Sequence, residues 1–455
     1  MPALRKGAGN HRKGSDPRSC VRHQAIALQQ AGGQHGRLQL LTAGSPRESG
    51  GTGQTVGAHP VLKELCLEAQ EIASSPEHRR RRRLWTDFHA LRPVRTPVSF
   101  ALYTNVWERD IARPEDLRCP EGLARQIEIQ LRARLWKARH IPDDEPLLPT
   151  VWLWTPRPAG SPPLWGVPLE SRRSAGHGSY KPVPPLKSED DLERVTGPTY
   201  REDEQAKREL LEQALDLTGG LARVKFRTDE VHYGPFEWAV RLRGMDNLLL
   251  DVVDSPGFVH RLMDRITEGM VSYHRQREAA GAVDAEESWA IHMHYDEVPP
   301  GLEGRLKGCW AYVHAQSATS LSPAMYEEFI QPYNERIAGM FGKVYYHGCE
   351  DLSAKARIIR NLPNLRLFHV SPWTPLKPIL EALGSGIALE VHSHPARVLF
   401  TDSPEDTRAD LQRLHREAAE APHILKLCDV ESVPDGGQRL ILWVRIAREV
   451  VERQN

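Results

Sequence analysis

Val344-Tyr345-Tyr346-His347-Gly348-Cys349-Glu350-Asp351 reads as a short β-branched and aromatic strand that runs into a loop carrying His-x-Cys. Residues two apart on an extended backbone point to the same side. His347 and Cys349 can therefore aim one nitrogen and one sulfur at a common point. Far downstream, Ile424-Leu425-Lys426-Leu427-Cys428-Asp429 repeats the grammar, an apolar strand ending on a cysteine. Whether His347, Cys349 and Cys428 meet depends on the elements that carry them.

Short apolar runs alternate with helical segments from Pro97 onward. The strand candidates are Val98–Leu102, Val151–Trp154, Ala222–Phe226, Trp289–His292, Trp310–Val313, Val344–His347, Arg366–Val370, Gly386–Glu390 and His423–Leu427. Ser255-Pro256, Ser322-Pro323 and Ser403-Pro404 each place a cap and a first-turn proline before an apolar helical face. Pro332 predicts a kink in the second of these helices. Strands of four to six residues alternating with longer helices predict a parallel sheet of βαβ units. Nine candidates lie close to the eight strands of a (β/α)8 TIM barrel, and no Gly-rich phosphate loop favours the dinucleotide-binding alternative. The expected fold class is thus α/β, a (β/α)8 TIM barrel with a disordered N-terminal tail. In such barrels the chemistry sits at the C-terminal strand ends, where His347, Cys349 and Cys428 would face one mouth.

Composition bounds the function. The 455 residues hold 60 basic and 60 acidic side chains, so no global field favours nucleic acid or an anionic membrane. No run approaches the roughly 18 consecutive apolar residues of a membrane span. The six cysteines are too few and scattered for a disulfide framework, which predicts reduced thiols and a cytoplasmic protein. Residues 1–57, rich in Gly, Ser, Gln and Arg, read as a disordered tail, and 58–455 as the barrel. Five consecutive arginines, Arg79 to Arg83, precede Leu84, Trp85, Phe88 and Leu91 at helical spacing; they read as the solvated start of an amphipathic helix.

Several stretches resemble the uroporphyrinogen decarboxylase-like superfamily: Leu321-Ser322-Pro323-Ala324-Met325-Tyr326-Glu327-Glu328-Phe329, His347-Gly348-Cys349-Glu350, Pro363-Asn364-Leu365-Arg366, Val370-Ser371-Pro372-Trp373 and Arg439-Leu440-Ile441-Leu442-Trp443. Upstream, Arg243-Gly244-Met245-Asp246 and the segment from Leu249 to Pro256 fit the same pattern. The resemblance covers roughly residues 60–452 and implies a (β/α)8 barrel of one of two kinds. One decarboxylates uroporphyrinogen in porphyrin biosynthesis. The other moves methyl groups between a corrinoid (cobalamin) protein and a thiol-type or similar acceptor, using zinc.

The cobalamin-dependent, coenzyme M methyltransferase-like branch resembles this chain in its zinc ligands, a His-x-Cys … Cys pattern onto which His347, Cys349 and Cys428 can be laid. Two thiolates and an imidazole suit borderline-soft zinc, and three protein ligands leave a fourth position for a substrate. The resemblance then implies a corrinoid partner protein, a small-molecule methyl donor or acceptor, and barrels that pair as homodimers. The decarboxylase branch grips substrate carboxylates with arginines on its first strand. Here that strand, Pro97 to Asn105, has none, and Arg92 and Arg95 precede it. Decarboxylation and a non-catalytic corrinoid- or tetrapyrrole-binding barrel are the alternatives.

Further candidates surround the expected mouth. Glu390 ends its strand and is the acid expected to touch substrate or metal. His292 and His294, with Asp296 and Glu297 nearby, form a second polar cluster. His392 and His394 follow Glu390. His369 reads as a satisfied wall residue within its strand, and Trp238 and Trp373 as aromatics that pack in the core or rim or against a flat ring.

Overall fold

The computed structural model describes residues 57–173, 180–287, 295–433 and 435–452. Two units divide the chain. The first comprises 1–48 and 172–181, and the second comprises 49–171 and 182–455. Of the first, only 172–173 and 180–181 are described; they belong to strands β3 (Glu170–Arg173) and β4 (Tyr180–Val183), which pair with each other and which the sequence pattern did not predict. The elements that carry the site all lie in the second unit.

Among the described residues, eight parallel strands form its core. Six make one sheet in the order β1 (Val98–Phe100), β10 (His423–Leu427), β9 (Ala388–His392), β8 (Leu365–Val370), β7 (Lys343–His347) and β6 (Trp310–His314). The remaining two, β2 (Thr150–Trp154) and β5 (Arg223–Arg227), form a second parallel pair. The fold is therefore α/β, as expected, and its first strand lies against its last. Eight of the nine strand candidates are observed within a residue or two; Trp289–His292 lies outside the described residues.

The other edge of β1 is occupied by side chains. Asp144 Oδ2 accepts from Val98 N at 2.8 Å and Asp143 Oδ2 from Phe100 N at 3.1 Å, while Asp144 N donates to Val98 O. Asp144 is fully buried and pairs with Arg95 and Arg448. Arg95 is thus part of a strand-edge clamp.

The helices form where the capping signals place them, although Ser255 makes no side-chain capping bond to its helix, Pro256–Ala279. Ser322 Oγ accepts from Met325 N, and Ser403 and Asp406 form a reciprocal capping box. The kink expected at Pro332 is instead a break: one helix ends at Phe329, Ile330 leaves helical geometry, and Pro332 opens a second helix, Gln331–Ala338. A proline has no N–H and is accommodated in a first turn. The arginine run lies in helix α1 (Pro76–His89), whose Trp85 and Phe88 are buried.

Two apolar clusters pack against different strands of the core. On one side, Val151, Leu153, Val224 and Phe226 pack against Leu62, Leu65, Ile127, Leu131 and Leu217 from the flanking helices. On the other, Trp85 and Phe88 of α1 meet Tyr345, Leu367, Ala388 and Ile424. Moving two residues along each of those strands replaces the apolar layer with His347, His369, Glu390 and Lys426. The site is the polar continuation of that face.

Candidate functional site

Strand register brings the polar residues together. His314 pairs with His347 across β6–β7, His369 with Glu390 across β8–β9, and His392 with Lys426 across β9–β10. Because parallel partners present side chains to the same side, these residues share one face at the C-terminal strand ends. His347, His369, Glu390, His392 and Lys426 are all at least 95% buried.

At the end of β7, Cys349 Sγ lies 3.7 Å from His347 Nε2. One donor atom each from His347, Cys349 and His369 lies within 4.8 Å of the others. The imidazoles of His347 and His369 are 4.4 Å apart between centroids, and His369 is 4.1 Å from His392. Gly348 N, between the first two donors, donates to His369 Nδ1 at 3.4 Å. A side chain at Gly348 would place its Cβ 2.8 Å from Glu350 Oε2, so the loop needs glycine to hold that buried carboxyl.

Cys428 approaches from β10. Its Sγ lies 3.6 Å from Tyr103 Oη and 3.6 Å from Asp429 Oδ1, and Tyr103 donates to that same oxygen at 3.2 Å. Asp429 adopts φ +55°, a left-handed conformation that turns the chain directly after the cysteine and that aspartate tolerates better than most residues. Burial pushes both thiols well above their ordinary range. For Cys349 the charges of Asp429, Glu350 and Cys428 add to this, so the two sulfurs share one electrostatic neighbourhood.

Glu390 is the hub of a buried network. Its Oε1 accepts from Tyr345 Oη at 2.9 Å and meets His392 Nε2 at 2.7 Å, and its Oε2 accepts from Lys426 Nζ at 3.0 Å. On β6, next to His347, burial brings the His314 imidazole down to about 3, helped by the Arg241 charge. Among the described residues neither ring nitrogen of His314 has a hydrogen-bond partner. Burial also raises the Glu350 carboxyl to about 8.

The structure thus brings His347, Cys349, Cys428 and Glu390 to one face. His292 and His294 lie outside the described residues. Trp238 is core, packed on Trp165 and Tyr233, whereas Trp373 is half exposed and meets His394 edge-on at 4.6 Å. His369 is more than the wall residue that its mid-run position suggested. It stands beside the His-x-Cys loop, and its signal was its even offset from the end of an apolar strand. Tyr103, Lys426 and Asp429 were also missed as neighbours of the cysteine.

The chain is similar in fold to a methyltransferase from Methanosarcina mazei, with a TM-score of 0.50 and 14% sequence identity over 82% of this chain and 98% of that one. No family model matches the sequence, and no curated protein matches it either. The shared fold agrees with the resemblance read from the sequence.

Proposed function

We propose that the eight parallel strands close into a (β/α)8 barrel and that the protein is a zinc-dependent methyltransferase. On this reading it moves a methyl group between a corrinoid carried by a partner protein and a thiol-type or similar acceptor. The observation that carries the reading is the 3.7 Å separation of His347 Nε2 and Cys349 Sγ at a strand end. Zinc bonds near 2.0 and 2.3 Å at a tetrahedral angle put a nitrogen and a sulfur about 3.5 Å apart. The donor set fits the metal in type as well: imidazole and thiolate suit zinc, and both Cys428, the third donor that the resemblance implies, and His369 lie on the same face. Likeness in fold to a solved methyltransferase supports the same reading.

Zinc bound there would supply Lewis acidity, lowering the pKa of a coordinated thiol so that it is a nucleophile at neutral pH. The remaining work falls to the chain's own residues. His347 is buried and Cys349 half-buried, which limits the water that reaches the nucleophile. The Glu390 network fixes His392, which packs on His369 and so holds the imidazoles in place. Trp373 on the rim offers an apolar face to an incoming flat ring. Glu390, His292 and His294 are the residues we assign to substrate contact.

Decarboxylation is disfavoured because Arg95, one of two arginines near the first strand, is committed to Asp144. The test is transfer from methylcobalamin to a panel of small thiols. Turnover lost on chelation and restored by zinc supports the proposal. Decarboxylation of uroporphyrinogen by metal-free protein would replace it.

A further inference from the structure

We infer that the third protein donor to the metal is His369 rather than Cys428, so that the site is built from two imidazoles and one thiolate. The inference rests on the zinc reading above and names its ligands. His369 belongs to the group of three donors lying within 4.8 Å of one another, and Cys428 does not. Its ring also lies against that of His347, 4.4 Å between centroids. The N–H of Gly348, the residue between His347 and Cys349, points at His369 Nδ1. At 3.4 Å that contact is long, and ligation through Nδ1 would replace it, the same lone pair turning from the Gly348 N–H to the cation.

Cys428 is engaged elsewhere. Tyr103 and Asp429 both lie 3.6 Å from its sulfur, and they are themselves joined by a hydrogen bond. A three-membered polar contact of this kind holds the thiol on the β1 side of the face.

The choice of ligand changes the chemistry. Zinc with one thiolate and two neutral imidazoles carries one positive charge, whereas two thiolates and one imidazole leave it neutral. A positive centre attracts an anionic fourth ligand, so the acceptor that fits is a thiol entering as thiolate rather than a neutral amine or alcohol. Ligation through His369 would also join β7 to β8, two neighbouring strands already paired in register.

The experiment compares intact wild-type protein with Cys428→Ser, His369→Ala and Cys349→Ser variants, each loaded with zinc or cobalt(II) and dialysed. Far-UV circular dichroism confirms that each is folded. Elemental analysis reads metal per chain, and the sulfur-to-cobalt charge-transfer band reads the number of thiolate bonds. Cys428→Ser should keep about one metal per chain with an unchanged band. Cys349→Ser should lose the band. His369→Ala should bind metal at least about tenfold more weakly, the loss that follows even removal of a group behind a metal ligand.

A band halved by Cys428→Ser, or metal lost from that variant, would overturn the assignment, as would His369→Ala retaining full affinity. Cys428→Ser is nearly isosteric, so its result stands even if His369→Ala fails to fold. Wild-type protein that takes up no metal at all would instead sink the zinc reading itself.

Discussion

Lys426 Nζ sits 3.0 Å from Glu390 Oε2, with both side chains 97% buried, and the pair joins β9 to β10 at the floor of the site. Two charges removed from water repay their desolvation only as a matched, hydrogen-bonded set, and here Tyr345 and His392 complete the set on the other carboxylate oxygen. Breaking it from one side leaves an uncompensated charge. Lys426→Met is predicted to cost about 3–5 kcal/mol of stability, read as a lowered urea midpoint. Glu390→Gln together with Lys426→Met should recover part of that loss. Equal destabilisation by the single and double variants would contradict a coupled pair.

Gly234 marks the approach of the helix Pro235–Arg243 to β6. A Cβ at this position would collide with the carbonyl oxygen of His314, which is backbone and cannot swing away. Gly234→Ala should therefore cost about 3 kcal/mol, near the upper end for overpacking, and should displace His314 from the site. Gly257 has only the far end of an arginine side chain near its Cβ position and is the control: Gly257→Ala should leave the melting temperature unchanged or slightly raised.

A pH dependence follows from two histidines far from the donor cluster. His415 Nδ1 and His423 Nε2 lie 2.7 Å apart and share one proton, with Ala421 O and Thr96 Oγ1 as the other neighbours of His423. Burial lowers His423 to about 4, and lowers His415 as well. An unfolded histidine titrates near 6.5. Between these values the unfolded chain binds more protons than the folded one, so stability is fully present above about pH 6.5 and declines as pH falls toward 4. The expected loss is about 3 kcal/mol at the acid end. His423→Gln should flatten this part of the stability profile; an unchanged slope would refute the assignment.

Much of the fold was legible because strand and helix periods differ so plainly in this chain. Val344–His347 and His423–Leu427 are bounded apolar runs, and Ser322-Pro323 and Ser403-Pro404 announce their helices. Pro332 was misread because periodicity continues across Ile330 while the backbone does not. The β3–β4 pair escaped because Glu170–Arg173 has no apolar alternation to detect.

At the site, His-x-Cys could be seen because both residues lie in one short stretch. His369 could not be ranked above any other strand histidine, since its importance comes from the register of β8 against β7. Nor does spacing reveal that Tyr103 lies beside Cys428, 325 positions away in the chain. Local chemistry is written in consecutive residues, whereas convergence of side chains is set by strand pairing.

The proposed activity is activation of a methyl acceptor by a metal held at His347 and Cys349. Its most direct test is elemental analysis of purified protein, coupled to methyl transfer from methylcobalamin to a thiol before chelation, after chelation and after zinc is restored. About one zinc per chain, with transfer that disappears and returns with the metal and is absent in Cys349→Ser, is the predicted result. Metal-free protein that transfers methyl groups at the full rate, or a Cys349→Ser variant with unchanged zinc content and turnover, would contradict it.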